Sequence, residues 1–147
     1  MKKITFGILL AALVLIGCSE EKSAKIDAMF RAKEYIRLQQ FIASDLGRLG
    51  TPDELIQAAK KVNSKTFPPQ DNEFFAFKIE TNIFGISSKV EIDGCPAQTV
   101  WLVGCRVEKG MCECMTDEDE SIYNNQTEKV PEACKKVFGE EYRTLGK

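Results

Sequence analysis

The chain has 147 residues, a formal net charge of −2, six cysteines and no histidine. That length suits one domain around a single core. Without histidine, serine–histidine and cysteine–histidine catalysis are excluded and the commonest metal ligand is missing, and the slightly acidic balance offers no basic surface to a nucleic acid.

In chain order, Lys2-Lys3 precede an apolar stretch from Ile4 to Ile16, which ends at Gly17-Cys18. A charged start, an apolar middle and a small residue before a cut is the layout of an export signal. The stretch is shorter than the ~20 residues a spanning helix needs. Leu15-Ile16-Gly17-Cys18 resembles the bacterial lipobox. The resemblance implies that residues 1–17 are removed and that the Cys18 sulfur carries diacylglycerol. Two or three acyl chains, at ~0.8 kcal/mol per buried methylene, hold a protein at a bilayer durably. Ser19, in place of the aspartate that retains such proteins at the inner membrane, implies the outer membrane. The expected product is a lipid-anchored protein of the bacterial cell envelope. Residues 18–25 are expected as the lipidated cysteine and a polar tether, and residues 26–147 as one α+β globular domain.

From Ile26, the residues Met29, Phe30, Tyr35, Leu38, Ile42, Leu46 and Leu49 recur at three- and four-residue steps. Arg31, Lys33, Glu34, Arg37 and Gln39 fill the intervening positions. This predicts an amphipathic helix of about 20 residues ending at Gly47 or Gly50, its stripe widened by Ile36 and Phe41. Thr51-Pro52-Asp53-Glu54 has the form of a capping box, with proline at the first helical position. A short second helix through Leu55, Ile56, Ala59 and Val62 is expected to follow. After a Pro68-Pro69 loop, alternation predicts strands at Phe75–Ile79, around Val90–Ile92 and over Thr99–Val107. Asp93-Gly94 and Lys109-Gly110 read as two-residue turns. The second of these sets a register with Glu108 opposite Met111, Val107 opposite Cys112, Arg106 opposite Glu113 and Cys105 opposite Cys114. Arg106 and Glu113 are then a cross-strand ion pair on one face, and the cysteines share the other. Pro131 to Val137 predicts a helical turn before Gly139. Trp101, between apolar neighbours, is a core candidate.

With Cys18 lipidated, Cys95, Cys105, Cys112, Cys114 and Cys134 are the disulfide candidates, giving two bridges and one spare thiol. Because direct cross-strand bridges are geometrically demanding, the expected pairs are Cys95 with Cys105, and Cys112 or Cys114 with Cys134. Met111-Cys112-Glu113-Cys114-Met115 is the weak metal candidate. Its soft ligands suit Cu(I) only if both thiols stay free, and export favours disulfides instead. No cofactor is expected. Asp117-Glu118-Asp119-Glu120, with Asn124 and Asn125, offers oxygen ligands for Ca²⁺ but lacks the spacing of an EF-hand loop. Asp117 and Glu120 form a conceivable carboxylate pair, placed in a wet loop where nothing shifts a pKa.

The order Ala32 to Gln40, a glycine-bearing loop, Ser64-Lys65-Thr66-Phe67 and a first strand at Phe74–Ile79 resembles the globular head of type IV pilins and pseudopilins. The resemblance implies a long N-terminal helix and a short second helix packed on a small antiparallel sheet, with a disulfide-bonded C-terminal loop. No glutamate precedes Glu20, and the lipobox stands where pilins carry their assembly segment. The implied product is a lipid-held head that docks to an envelope partner. The functional expectation is a non-enzymatic structural or interaction lipoprotein, associated with a pilus or secretion system. The alternative is a small periplasmic ligand binder or protein inhibitor, and a soft-metal carrier stands third.

Overall fold

The computed structural model describes residues 20–117 and 132–147 in full and the helical backbone of residues 2–19. Helix α1 (Lys2–Leu46) and helix α2 (Pro52–Lys61) precede strands β1 (Phe75–Ile79), β2 (Ile83–Ser88), β3 (Val100–Glu108) and β4 (Met111–Thr116). A 3₁₀ turn at Glu132–Cys134 and a short helix α3 (Glu140–Arg143) close the chain. The sheet is an antiparallel meander in the order β1-β2-β3-β4. Helices at the two ends of the chain and an antiparallel sheet between them make the fold α+β.

The helix α1 runs through Ser19–Lys25, the segment expected as a tether. Ala24 is already buried, and Lys25 reaches both Glu21, at 3.5 Å, and Asp93. Glutamate, lysine and alanine are strong helix formers, and the Glu21–Lys25 pair has the favourable i,i+4 order, so local preference extends the helix. The buried face differs from the expected stripe. Ala24, Ala28 and Ala32 line it with Met29, Tyr35, Ile36, Leu38 and Ile42, whereas Phe30, Phe41 and Leu46 are about half exposed. Alanines four apart bring the helix backbone close to the sheet and α2, against which α1 packs.

Two polar residues of α1 belong to the interior. Gln39 is fully buried. Its Nε2 donates to Thr81 O at 2.7 Å and Gly50 O at 3.2 Å, and its Oε1 accepts from Gly50 N at 2.8 Å. Glu34 accepts from the Thr66 hydroxyl at 2.8 Å and from the Ser64 hydroxyl. These side chains supply partners for backbone and hydroxyl groups of loops that have no ladder of their own.

The capping box of α2 forms as expected, with Thr51 accepting from Glu54 N and the Glu54 carboxylate accepting from Thr51 N. Leu55, Ala58 and Ala59 face the core, while Val62 is the exposed C-cap. The second strand lies at Ile83–Ser88 rather than at Val90–Ile92. Gly85, Ser87 and Ser88 weaken the strand signal of that stretch, yet Phe84 and Ile86 are fully buried between β1 and β3. Val90–Ile92 instead enters the Asp93-Gly94 turn, where Ile92 and Cys95 exchange both backbone hydrogen bonds at 2.8–2.9 Å. That turn and Lys109-Gly110 have positive φ at both central residues, 50° and 82°, then 52° and 79°, the signature of a type I′ hairpin turn.

One sheet face carries Phe75 and Phe77, Phe84 and Ile86, Trp101 and Val103, and Cys105 and Cys114 toward α1. Tyr35 stacks on Phe84 with centroids 5.3 Å apart, and Trp101 is fully buried as expected. Phe138, from the C-terminal segment, meets Trp101 edge-on at 5.0 Å and Phe75 at 5.5 Å. The last residues therefore complete the core beside the helix. Tyr142 in α3 and Leu145 are buried there as well, a contribution no pattern in the sequence announced.

Candidate functional site

The register of the β3–β4 hairpin is the expected one throughout, from Glu108↔Met111 to Cys105↔Cys114. Arg106 and Glu113 form the cross-strand ion pair at 3.2 Å. A two-residue loop makes Glu108–Met111 the closing hydrogen-bonded pair, so Cys105–Cys114 falls on a non-hydrogen-bonded pair, where strands approach most closely. Their Cα atoms are 4.0 Å apart and the sulfurs are bonded. The expected pairing of Cys95 with Cys105 is thus corrected: Cys95 bonds Cys134, with Cα atoms 4.8 Å apart, and Cys112 is the free thiol. The expectation of a bridge from Cys112 or Cys114 to Cys134 fails for the same reason. The hairpin register sets Cys105 and Cys114 directly opposite each other, and their bond leaves neither for a distant partner. Closing the Cys95–Cys134 loop, a separation of 39 residues, contributes ~4 kcal/mol on the chain-entropy account.

Cys112 lies on the same face of β4 as Cys114, and its Sγ is 3.8 Å from that of Cys114. Partial burial pushes the Cys112 thiol pKa up. The sulfurs of Cys105, Cys112 and Cys114 all lie within 4.8 Å of one another. The soft-metal set of Met111, Cys112, Cys114 and Met115 is not assembled. Successive residues of a strand point to opposite faces, so Met111 and Met115 stand away from the thiols, and Cys114 is spent in a disulfide.

At the end of β4, Asp117 is held rather than solvated. The Tyr142 hydroxyl donates to its Oδ1 and lies 2.9 Å from Leu102 O, and Asp117 N donates to Leu102 O at 3.0 Å. Burial pushes the Asp117 carboxyl above its usual range, which corrects the expectation of a wet loop. Glu118, Asp119, Glu120, Asn124 and Asn125 lie outside the described residues, so the calcium candidate and the Asp117–Glu120 pair rest on the sequence alone. Pro131 and the Cys18 side chain lie outside them too.

The sheet face turned away from α1 bears a shallow concavity of about 330 Å³ lined by Lys78, Glu80, Ile83, Gly85, Ser87, Val100 and Leu102. Its floor is Gly85, and Val100 at its edge is 47% exposed. Lys78 and Glu80 pair across its rim at 3.0 Å. Among the described residues, no helix is long and apolar enough to cross a membrane.

The fold and these sites define an α+β domain whose C-terminal half is stapled by two disulfides. No protein-family model, curated protein or solved structure matches the chain.

Proposed function

We propose that the chain is a bacterial envelope lipoprotein, anchored through acylated Cys18 in the outer membrane, whose pilin-like head acts as a non-enzymatic structural or interaction component of a pilus or secretion assembly. The observation that carries this reading is the position of the lipobox. Leu15-Ile16-Gly17-Cys18 precedes by a few residues the part of α1 that packs on the body, where Ala24 is buried. Six helical residues span ~9 Å, so the anchor would hold the head close to the bilayer. The long helix across one face of an open four-stranded meander supports a head built for surface contact. Two disulfides support an oxidising compartment. Expression of Cys18→Ala in a bacterial host tests the anchor. The variant should lose incorporation of labelled palmitate and leave the membrane fraction, with its disulfides intact. Labelling that persists in the variant would contradict the reading.

A second reading, a small-ligand-binding lipoprotein, is favoured by the concavity over Gly85, whose volume falls at the low end of ligand sites. Gly85→Leu would fill it. Loss of a ligand that co-purifies with the wild type would support this reading over the first.

A further inference from the structure

We propose that Cys105, Cys112 and Cys114 form a redox-gated site for a soft, thiophilic metal ion, Cu(I), which is closed while the Cys105–Cys114 bridge is intact and opens when a dithiol reduces it. This goes beyond the anchor reading and does not depend on it.

Three thiolates around one metal ion, at bonds like the ~2.3 Å of zinc thiolates, stand about 3.8–4.0 Å apart. The Cys112 and Cys114 sulfurs are already 3.8 Å apart, and all three sulfurs lie within 4.8 Å of one another. Breaking the bridge lets the Cys105 and Cys114 sulfurs move apart to a non-bonded separation of similar size, and the triangle is complete. The backbone that carries them is held by more than the bridge. Six residue pairs fix the hairpin register from Val103↔Thr116 to Glu108↔Met111, and the Arg106–Glu113 pair holds the opposite face. Soft sulfur ligands select Cu(I) over hard cations.

The surroundings also fit. Cys105 and Cys114 are 7% and 2% exposed and face α1, which keeps bulk water from a bound ion. Cys112 is only half-buried and provides the entry path a metal site needs. It also gives a role to the thiol that the disulfide framework leaves over. The sequence motif mixed sulfurs from both faces of β4. The structure replaces Met111 and Met115 with Cys105 from the neighbouring strand.

The chemistry balances in two steps. A dithiol delivers two hydrogen atoms to the Cys105–Cys114 bond, which breaks to two thiols while the dithiol closes to a cyclic disulfide. Cu(I) then bonds the three sulfurs and the thiol protons pass to water, with no change in metal oxidation state.

The test uses the full-length protein in detergent, reduced anaerobically with a dithiol and freed of it by gel filtration, then titrated with Cu(I) against a chromogenic chelator. The reduced protein should take one Cu(I) per chain with an ultraviolet thiolate-to-copper absorption, and the oxidised protein should take none in competition. Cys112→Ser keeps both bridges in the oxidised protein, and reduction opens Cys95–Cys134 equally in variant and wild type, so the two are compared in the same reduced state. After reduction the variant should bind more weakly by more than the ~10–100-fold that losing an outer-shell partner costs a metal site. Near-UV circular dichroism of Trp101 monitors the fold. Unchanged affinity in Cys112→Ser, or equal uptake by oxidised and reduced protein, would overturn the proposal. So would a Trp101 signal lost on reduction that Cu(I) fails to restore.

Discussion

Gln39→Ala should be among the most damaging single substitutions in the molecule, although glutamine is ordinarily a surface residue of helices. Gln39 is fully buried, and its amide serves Gly50 through both N–H and C=O. It also serves the exposed Thr81 through its carbonyl. Truncation leaves the buried Gly50 amide with no acceptor and its carbonyl with no donor, at roughly 1–3 kcal/mol for each unsatisfied group. The Thr81 carbonyl can turn to water and adds little. With the small cavity left behind, the total is about 3–5 kcal/mol, a large share of the ~5–15 kcal/mol stability of a domain. Gln39→Glu separates hydrogen bonding from volume. A carboxylate can still accept from Gly50 N, but its other oxygen then faces the carbonyls of Gly50 and Thr81, so the folded state favours the protonated acid and raises its pKa. A raised carboxyl pKa means that stability is fully present below the unfolded value of ~4.3 and is lost as pH rises through the folded pKa. The assay is urea unfolding under non-reducing conditions, followed by Trp101 fluorescence at pH 4 and pH 8. A Gln39→Ala loss below about 0.5 kcal/mol, the range of ordinary surface changes, would mean that the Gly50 groups find other partners. So would a Gln39→Glu penalty that is equal at both pH values.

Glu54 is held down to about 2 by the Arg48 guanidinium and the Thr51 backbone N–H. Its contribution to α2 should therefore be present above the unfolded carboxyl pKa and disappear as pH falls from ~4.3 toward 2, a loss of helicity on acid titration that Glu54→Gln should not show. Asp117 has the opposite sign, because burial raises its pKa. Its stability is full below ~3.9 and declines as pH rises through the folded value. Asp117→Asn should flatten that part of the stability–pH curve, and an unchanged curve would contradict the burial argument. Gly146→Ala places a Cβ 2.1 Å from the Cys114 carbonyl oxygen at a backbone φ of +86°. It should detach the C-terminal residues from β4 and lower the melting temperature, whereas Gly47→Ala, with open space around its Cβ, should cost only about 1 kcal/mol for its φ.

Much of the architecture was legible because local chemistry decided it. Thr51-Pro52-Asp53-Glu54 capped α2, and Lys109-Gly110 set the whole β3–β4 register, including the Arg106–Glu113 pair. Where tertiary partners decided, the sequence misled. Gln39 and Glu34 looked like solvent positions, but loops that needed hydrogen-bond partners drew them inward. Phe30 and Phe41 looked like core, yet α1 turned its alanines to the sheet and left both half exposed. The strand at Ile83–Ser88 was hidden by Gly85 and two serines, whose burial depends on neighbouring strands rather than on their own hydrophobicity. One of the two bridges was derivable from the register already in hand. A two-residue hairpin loop places Cys105 and Cys114 on a close-approach pair, and weighing that above the general difficulty of cross-strand bridges would have left Cys95, Cys112 and Cys134, among which only the tertiary structure selects Cys95 with Cys134.

The anchor is tested most directly by the intact mass of the protein extracted from bacterial membranes. The expected species begins at Cys18, is heavier by a diacylglyceryl or triacyl group, and carries a single alkylatable thiol at Cys112 before reduction. A chain that retains residues 1–17, or one with an unmodified amino-terminal cysteine, would contradict the anchor reading.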